Sequence, residues 1–260
     1  MSPLRILGSL AVVSCTALVR PCAAQPVEKV IVEKYHVQEA ADGSAPLVTY
    51  RVFLDLAEGH LLQMVYGDEH HALRLETSTT FHNSETDNVR FGDRLPVDPK
   101  DFGPLATDSW LTIGLVGIGH IGIPREADTD GSILECSTAG QRSGTDTNAV
   151  DPLCRTDGLL PFEQTREVVN FLLEPSYLGN MKGAIIETND GAWAMLGGMK
   201  GPTSENLVLV AQFATTGELH LVLNAQIGLP DGGYVKVVAK DPREGELQSD
   251  ALIYGTRRSN

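Results

Sequence analysis

The chain has 260 residues, 34 of them acidic against 20 basic, for a formal net charge of −14 at pH 7. So acidic a surface repels phosphate backbones and anionic lipid, which argues against nucleic acid and anionic membrane as partners. The length suffices for one large domain or two small ones with a proper core.

The first residues read as an export signal. Arg5 precedes an apolar run over 6–19, and the small residues Cys22-Ala23-Ala24 stand before Gln25, the pattern of a secretory signal peptide over residues 1–24. The run is too short to span a membrane. Val13-Ser14-Cys15 resembles a lipoprotein cleavage site, so a lipid anchor on Cys15 is the alternative. Cleavage before Gln25 removes Arg5 and Arg20 and takes the net charge from −14 to −16. The expected location is secreted or extracellular, with cell-surface association.

Residues 48–56 (VTYRVFLDL) alternate apolar and polar side chains, the period of a strand. Glu58-Gly59-His60 reads as a turn, 61–66 as a second strand, and 72–80 as a third with Leu73 and Leu75 inward and Arg74 and Glu76 outward. Together they resemble a β-meander with one solvated face, on which Phe53 is the outward aromatic. Between the second and third strands, His70-His71 follows Asp68-Glu69. A metal cluster and a surface turn compete there. Adjacent strand residues point to opposite faces, so at most one of the two histidines fits a given site, and the surface turn is preferred.

Residues 81–107 lack periodicity and are rich in Asn, Asp, Pro and Gly, as in a long surface excursion. Trp110 then opens an apolar run and is a core candidate. Gly117, Gly119 and Gly122 spell G-x-G-x-x-G, but Ile123-Pro124 and an acidic loop follow where a dinucleotide site needs a helix. A turn or bulge between two strands is the better reading. Glu126, Asp128, Asp130 and Ser132 place oxygen ligands at alternating positions around Gly131, resembling the first part of a calcium (Ca2+) loop of the EF-hand or dockerin kind. Glu126 stands where Asp is usual, and Ser137 occupies the position of the bidentate acid; a solvated Asp-Gly turn is the competing reading. Cys136 and Cys154 flank a polar, glycine-containing stretch. In an exported chain they most simply form one disulfide, which by chain entropy contributes roughly 3 kcal/mol. No CxxC or HxxxH accompanies them to suggest zinc.

Residues 161–173 (PFEQTREVVNFLL) carry an imperfect helical stripe, with a strand over 167–173 as the alternative. Strands return in the last third. Asn189-Asp190-Gly191 and Thr215-Thr216-Gly217 read as hairpin turns, and Asp231-Gly232-Gly233 as another turn. Over 219–227, Leu219, Leu221, Leu223, Ala225 and Ile227 point one way and His220, Asn224 and Gln226 the other. The expected fold is all-β and mainly antiparallel: a β-sandwich formed as a single domain by residues 25–260, with at most one short helix near 161–173.

Four stretches carry a family resemblance: Val32-Glu-Lys-Tyr-His36, Val48-Thr-Tyr-Arg-Val-Phe-Leu-Asp55, Asp108-Ser-Trp-Leu111 and Leu209-Val-Ala-Gln-Phe213. They resemble uncharacterised secreted proteins of the Bacteroidota, over most of the mature chain, and the layout is faintly similar to cohesin-like sandwiches. Members of that family often carry a C-terminal sorting domain for type IX secretion, which implies display at or release from the cell surface. Residues 25–260 show no such sorting domain. The resemblance brings no activity and no catalytic residues with it.

The residues themselves show no nucleophile elbow G-x-S-x-G and no H-E-x-x-H. Single histidines (His36, His60, His82, His120, His220) could join a triad only in space, and with 34 acids some carboxylate pair always lies close. Three functions follow as expectations. The first is a non-enzymatic surface module binding a glycan, protein or matrix partner, with calcium as a stabilising ion. The second is an extracellular hydrolase of polysaccharide or polyester. The third is a structural module of an envelope assembly.

Overall fold

The computed structural model describes residues 25–83, 89–95, 107–117, 120–127, 158–159, 167–171, 183–202 and 204–255. Its strands are β1 (Val27–Gln38), β2 (Leu47–Leu56), β3 (Leu61–Tyr66), β4 (Leu73–Thr77), β5 (Trp110–Leu111), β6 (His120–Ile121), β7 (Gly158–Leu159) and β8 (Val168–Phe171). They continue with β9 (Ile185–Thr188), β10 (Ala192–Met199), β11 (Leu207–Thr215), β12 (Leu219–Val222), β13 (Ala225–Gly228), β14 (Tyr234–Val238), β15 (Glu246–Gln248) and β16 (Ile253–Tyr254). Helical turns among the described residues are three-residue 3-10 segments, at Gly92–Arg94, Arg125–Ala127 and Asp250–Leu252. The fold is all-β and mainly antiparallel, as the strand-period pattern predicts.

One layer is a sheet in the order β1-β2-β11-β5. Two further sheets, β15-β14-β13-β3-β10-β8 and β16-β12-β4-β9, meet at a bend as two arms, and β6 pairs with β7 in a fourth sheet. Three neighbouring chain segments cross between the arms side by side: β3 to β4 through 67–72, β9 to β10 through 189–191, and β12 to β13 through 223–224. At this corner the backbones meet closely, and a Cβ on Gly67 would overlap the Thr188 carbonyl oxygen. One hydrophobic core draws on both layers, with Trp110 and Trp193 fully buried. The Trp193 indole N–H donates to the Thr112 carbonyl at 2.9 Å, which satisfies the polar edge of a buried ring.

Several local expectations are corrected. Strands β2, β3 and β4 lie in three different sheets or arms and do not pair with one another, so there is no meander. The turns at Asn189-Asp190-Gly191 and Thr215-Thr216-Gly217 join strands of different sheets or arms instead of closing hairpins. A strand crossing to the opposite layer keeps its apolar side toward the same interior, so its period-two pattern matches that of a hairpin strand. Asp231-Gly232-Gly233 does join a paired hairpin, β13 to β14, with Gly232 at φ +90°. Val168–Phe171 is a strand paired with β10, so the strand reading holds there. The remainder of the 161–173 helix candidate lies outside the described residues, apart from the exposed Glu167.

Phe53 is not an outward aromatic: it is completely buried, because both faces of the first sheet are covered. On its Arg51–Phe53 side lies the segment 120–127, where the Arg125 backbone N–H donates to Glu33 Oε1 at 2.8 Å. There a Cβ on Gly122 would overlap the Leu209 side chain. Arg51 is itself buried, its guanidinium 3.7 Å from the Tyr35 ring centroid and its Nε donating to Gln212 Oε1 at 3.3 Å. The expected surface excursion also turns inward: Phe91 bridges to Leu111, and Asp93 and Leu95 are buried. Of the glycine-rich stretch, Gly117 and Gly122 flank residues outside the described ones, and the contacts around them fit a turn. Leu115 bridges to Ile121, and the Val116 N–H donates to the His120 carbonyl at 3.0 Å.

Candidate functional site

The six-stranded arm has an inner and an outer face, fixed by its register. Trp193, Val65, Ala225 and Val237 lie opposite one another across four strands and are all buried. Their strand neighbours Ala194, Met64, Gln226 and Lys236 therefore share the outer face, with Glu246 beside Lys236 on β15. Tyr66, Ala192 and Val238 form a small apolar cluster on that face, with Met64 packed against it. Three large apolar side chains stay exposed there: Phe171 at 46%, Tyr234 at 65% and Leu196 at 73%. Leu196 precedes Gly197 and Gly198, whose φ values of +79° and +74° accompany a register shift between β10 and β3. Beside them the Gln226 side-chain amide donates to Gln63 Oε1 at 2.9 Å.

Where this face meets the corner, His71 gathers two carboxylates. The turn 68–71 is closed by reciprocal backbone hydrogen bonds between Asp68 and His71. Asp68 Oδ1 accepts the backbone N–H groups of His70 at 3.1 Å and His71 at 3.0 Å, and faces His71 Nδ1 at 3.1 Å. On the other side of the ring, His71 Nε2 lies 3.1 Å from the Asp241 carbonyl oxygen and 3.4 Å from Glu246 Oε2. Lys236 Nζ is 3.4 Å from Asp68 Oδ2 and 4.8 Å from the Tyr66 ring centroid. Glu246 Oε2 also accepts the Arg243 N–H at 2.9 Å. Asn224, buried where β12 gives way to β13, donates to the carbonyls of Tyr66 and His71 and accepts from the Ala239 N–H.

The electrostatics follow from burial and these contacts. Burial alone would raise the Asp68 carboxyl. The amides of His70 and His71 and the Lys236 ammonium outweigh it and hold the group below the ordinary carboxylate range. Burial, with Glu246 and Asp68 close by, pushes the Tyr66 phenol far up, so it stays protonated. Asp68, His71 and Glu246 could hold a metal ion, each offering one ligand atom within 4.8 Å of the others.

Of the residues singled out from sequence, Glu126 is exposed on the 3-10 turn Arg125–Ala127. Asp128, Asp130, Ser132, Cys136, Cys154 and Cys15 lie outside the described residues. The Asp68-to-His71 stretch is a turn, but it is not wholly a surface one: His70 is exposed beside Glu69, whereas His71 is 5% exposed. His71 alone of the two histidines faces the carboxylates of Asp68 and Glu246, but strand alternation is not the reason, since both lie in the turn between β3 and β4. Glu246 was not anticipated, because the parallel pairing that brings it in has no local signature.

Among the described residues no helix is long and apolar enough to cross a membrane. No family model, curated protein or solved structure matches the chain.

Proposed function

We propose that the chain is a secreted, non-enzymatic β-sandwich module that binds a neutral glycan at the cell surface through the outer face of its six-stranded arm. The observation carrying this reading is the exposure of Phe171, Leu196 and Tyr234 on a sheet face that also carries the side-chain amides of Gln63 and Gln226. Exposed aromatic rings and side-chain amides on one face suit the apolar faces and hydroxyls of sugars. An excess of 34 acidic over 20 basic residues disfavours anionic glycans. The resemblance to secreted Bacteroidota proteins supports the location.

The test is affinity electrophoresis of the full chain in neutral and in sulfated or uronic polysaccharides. Retardation by at least one neutral polysaccharide is expected, weakened about tenfold by Tyr234→Ala, a loss of roughly 1.4 kcal/mol. No retardation in any neutral polysaccharide, or an unaltered Tyr234→Ala, rejects the glycan reading and turns attention to a protein or matrix partner. For the loop bearing Glu126, Asp128, Asp130 and Ser132 we propose calcium as a stabilising ion, on the alternating oxygen side chains alone.

A further inference from the structure

We infer that His71 Nε2, the Glu246 carboxylate and the Asp241 carbonyl form a site for a first-row divalent cation of the zinc kind, with Asp68 orienting the imidazole. Asp68 Oδ1 already accepts two backbone N–H groups and can only accept from the ring, so the hydrogen bond to His71 places the ring's N–H at Nδ1. In the neutral ring Nε2 then carries a lone pair. It faces two more lone-pair atoms, the Asp241 carbonyl at 3.1 Å and Glu246 Oε2 at 3.4 Å. Such atoms need a proton or a cation between them: a second ring proton, a proton on Glu246, or a metal ion.

The spacing also accommodates a metal ion. Ligands about 2.0–2.2 Å from a tetrahedral ion stand roughly 3.3–3.6 Å apart, which includes the Glu246 separation and lies slightly above the Asp241 one. Calcium prefers six to eight oxygens at longer range and does not suit an imidazole-centred set. A carboxylate on the far ring nitrogen is the usual outer partner of a metal-binding histidine, and Asp68 is placed as one. Asp68 is held in turn by Lys236, whose ammonium lies against its other oxygen, and the Arg243 N–H fixes Glu246. The Tyr66 ring centroid lies 4.8 Å from the Lys236 ammonium that holds Asp68, and the buried Tyr66 hydroxyl has no hydrogen-bond partner among the described residues. The ion would tie the 67–72 corner to the segment that carries β15. This site stands apart from the glycan reading and from the calcium loop.

The full chain, freed of metal with a chelator and dialysed, is titrated with Zn2+ and in parallel with Co2+, the latter read by visible absorption. One equivalent is expected, with the cobalt bands of a four-coordinate ion. Glu246→Gln should weaken uptake at least tenfold and Asp68→Asn by about 10–100-fold, both with the wild-type far-UV circular dichroism in chelator. Absence of uptake, or undiminished uptake by Glu246→Gln, overturns the assignment. Nitrogen-15 NMR of the wild-type ring keeps the test open should a variant misfold. Zn2+ should shift His71 Nε2 and leave Nδ1 protonated, whereas a ring protonated on both nitrogens under excess Zn2+ overturns it.

Discussion

Asp93 is a carboxylate placed where charge is unwelcome. It is 3% exposed; Oδ2 accepts the Val168 N–H at 3.1 Å and lies 3.5 Å from Arg94 Nε, while Oδ1 has no partner among the described residues. Burial raises its pKa, and the Val168 amide and Arg94 only partly offset that. Between the ordinary carboxylate pKa and the raised one, the folded chain holds a proton that the unfolded chain has released. Stability contributed by Asp93 therefore falls as pH rises through that window and is flat above it. Asp93→Asn keeps an acceptor for Val168 and cannot ionise. Urea unfolding at steps from pH 4 to 7 should show the variant gaining on the wild type as pH rises; a gap independent of pH would count against the ionised, buried group. At this scale the sequence was partly legible. Leu73, Leu75, Arg74 and Glu76 take the sides their alternation assigns. Arg51 and Phe53 do not, because alternation reports solvent only when one face of a sheet is open. Here the segment 120–127, far away in sequence, covers the side that carries both.

Among the elements, the corner where the two arms meet depends most on a single side chain, that of Asn224. Its amide donates to the carbonyls of Tyr66 at 3.2 Å and His71 at 3.0 Å, and its oxygen accepts the Ala239 N–H at 3.2 Å. The chain changes arms at 223–224, and the groups left without ladder partners are bound by this one residue. Asn224→Ala would remove the side-chain partner of the Tyr66 carbonyl and the Ala239 N–H, while the His71 carbonyl keeps the Asp68 N–H; at about 1–3 kcal/mol for each of the two groups, a total loss of about 2 kcal/mol or more is expected in urea unfolding. A loss under about 1 kcal/mol would show that water or a backbone shift replaces the amide. Pattern alone puts Asn224 on the polar side of one continuous strand over 219–227. The structure breaks that strand at Asn224, and the side chain bonds inside the protein, not to solvent. Strand existence was legible from period two; strand partners were not. Strand β2 pairs with β11 across some 150 residues, and no local turn chemistry encodes that choice.

For the whole molecule, a net charge of −14 makes any divalent cation stabilising to a degree, because it screens self-repulsion. A specific calcium loop must therefore exceed that background. At a hundred times its dissociation constant, a ligand bound only by the folded state adds about 2.7 kcal/mol. For a chain of this size that corresponds to a rise of roughly 5–10 °C in melting temperature. The comparison is calcium against a chelator in sodium chloride of matched ionic strength, with the chain oxidised. Wild type should show the larger rise with calcium, and Asp128→Ala/Asp130→Ala should retain only the part that screening supplies. Equal rises in wild type and variant would reduce the loop to a solvated Asp-Gly turn. Zinc separates the two ion proposals within the same experiment. An imidazole-centred site at His71 responds to Zn2+ and is indifferent to the loop substitutions, whereas an all-oxygen loop responds to calcium and is indifferent to Glu246→Gln. Each cation thus has its own variant, and a melting shift that follows neither variant belongs to the net charge alone.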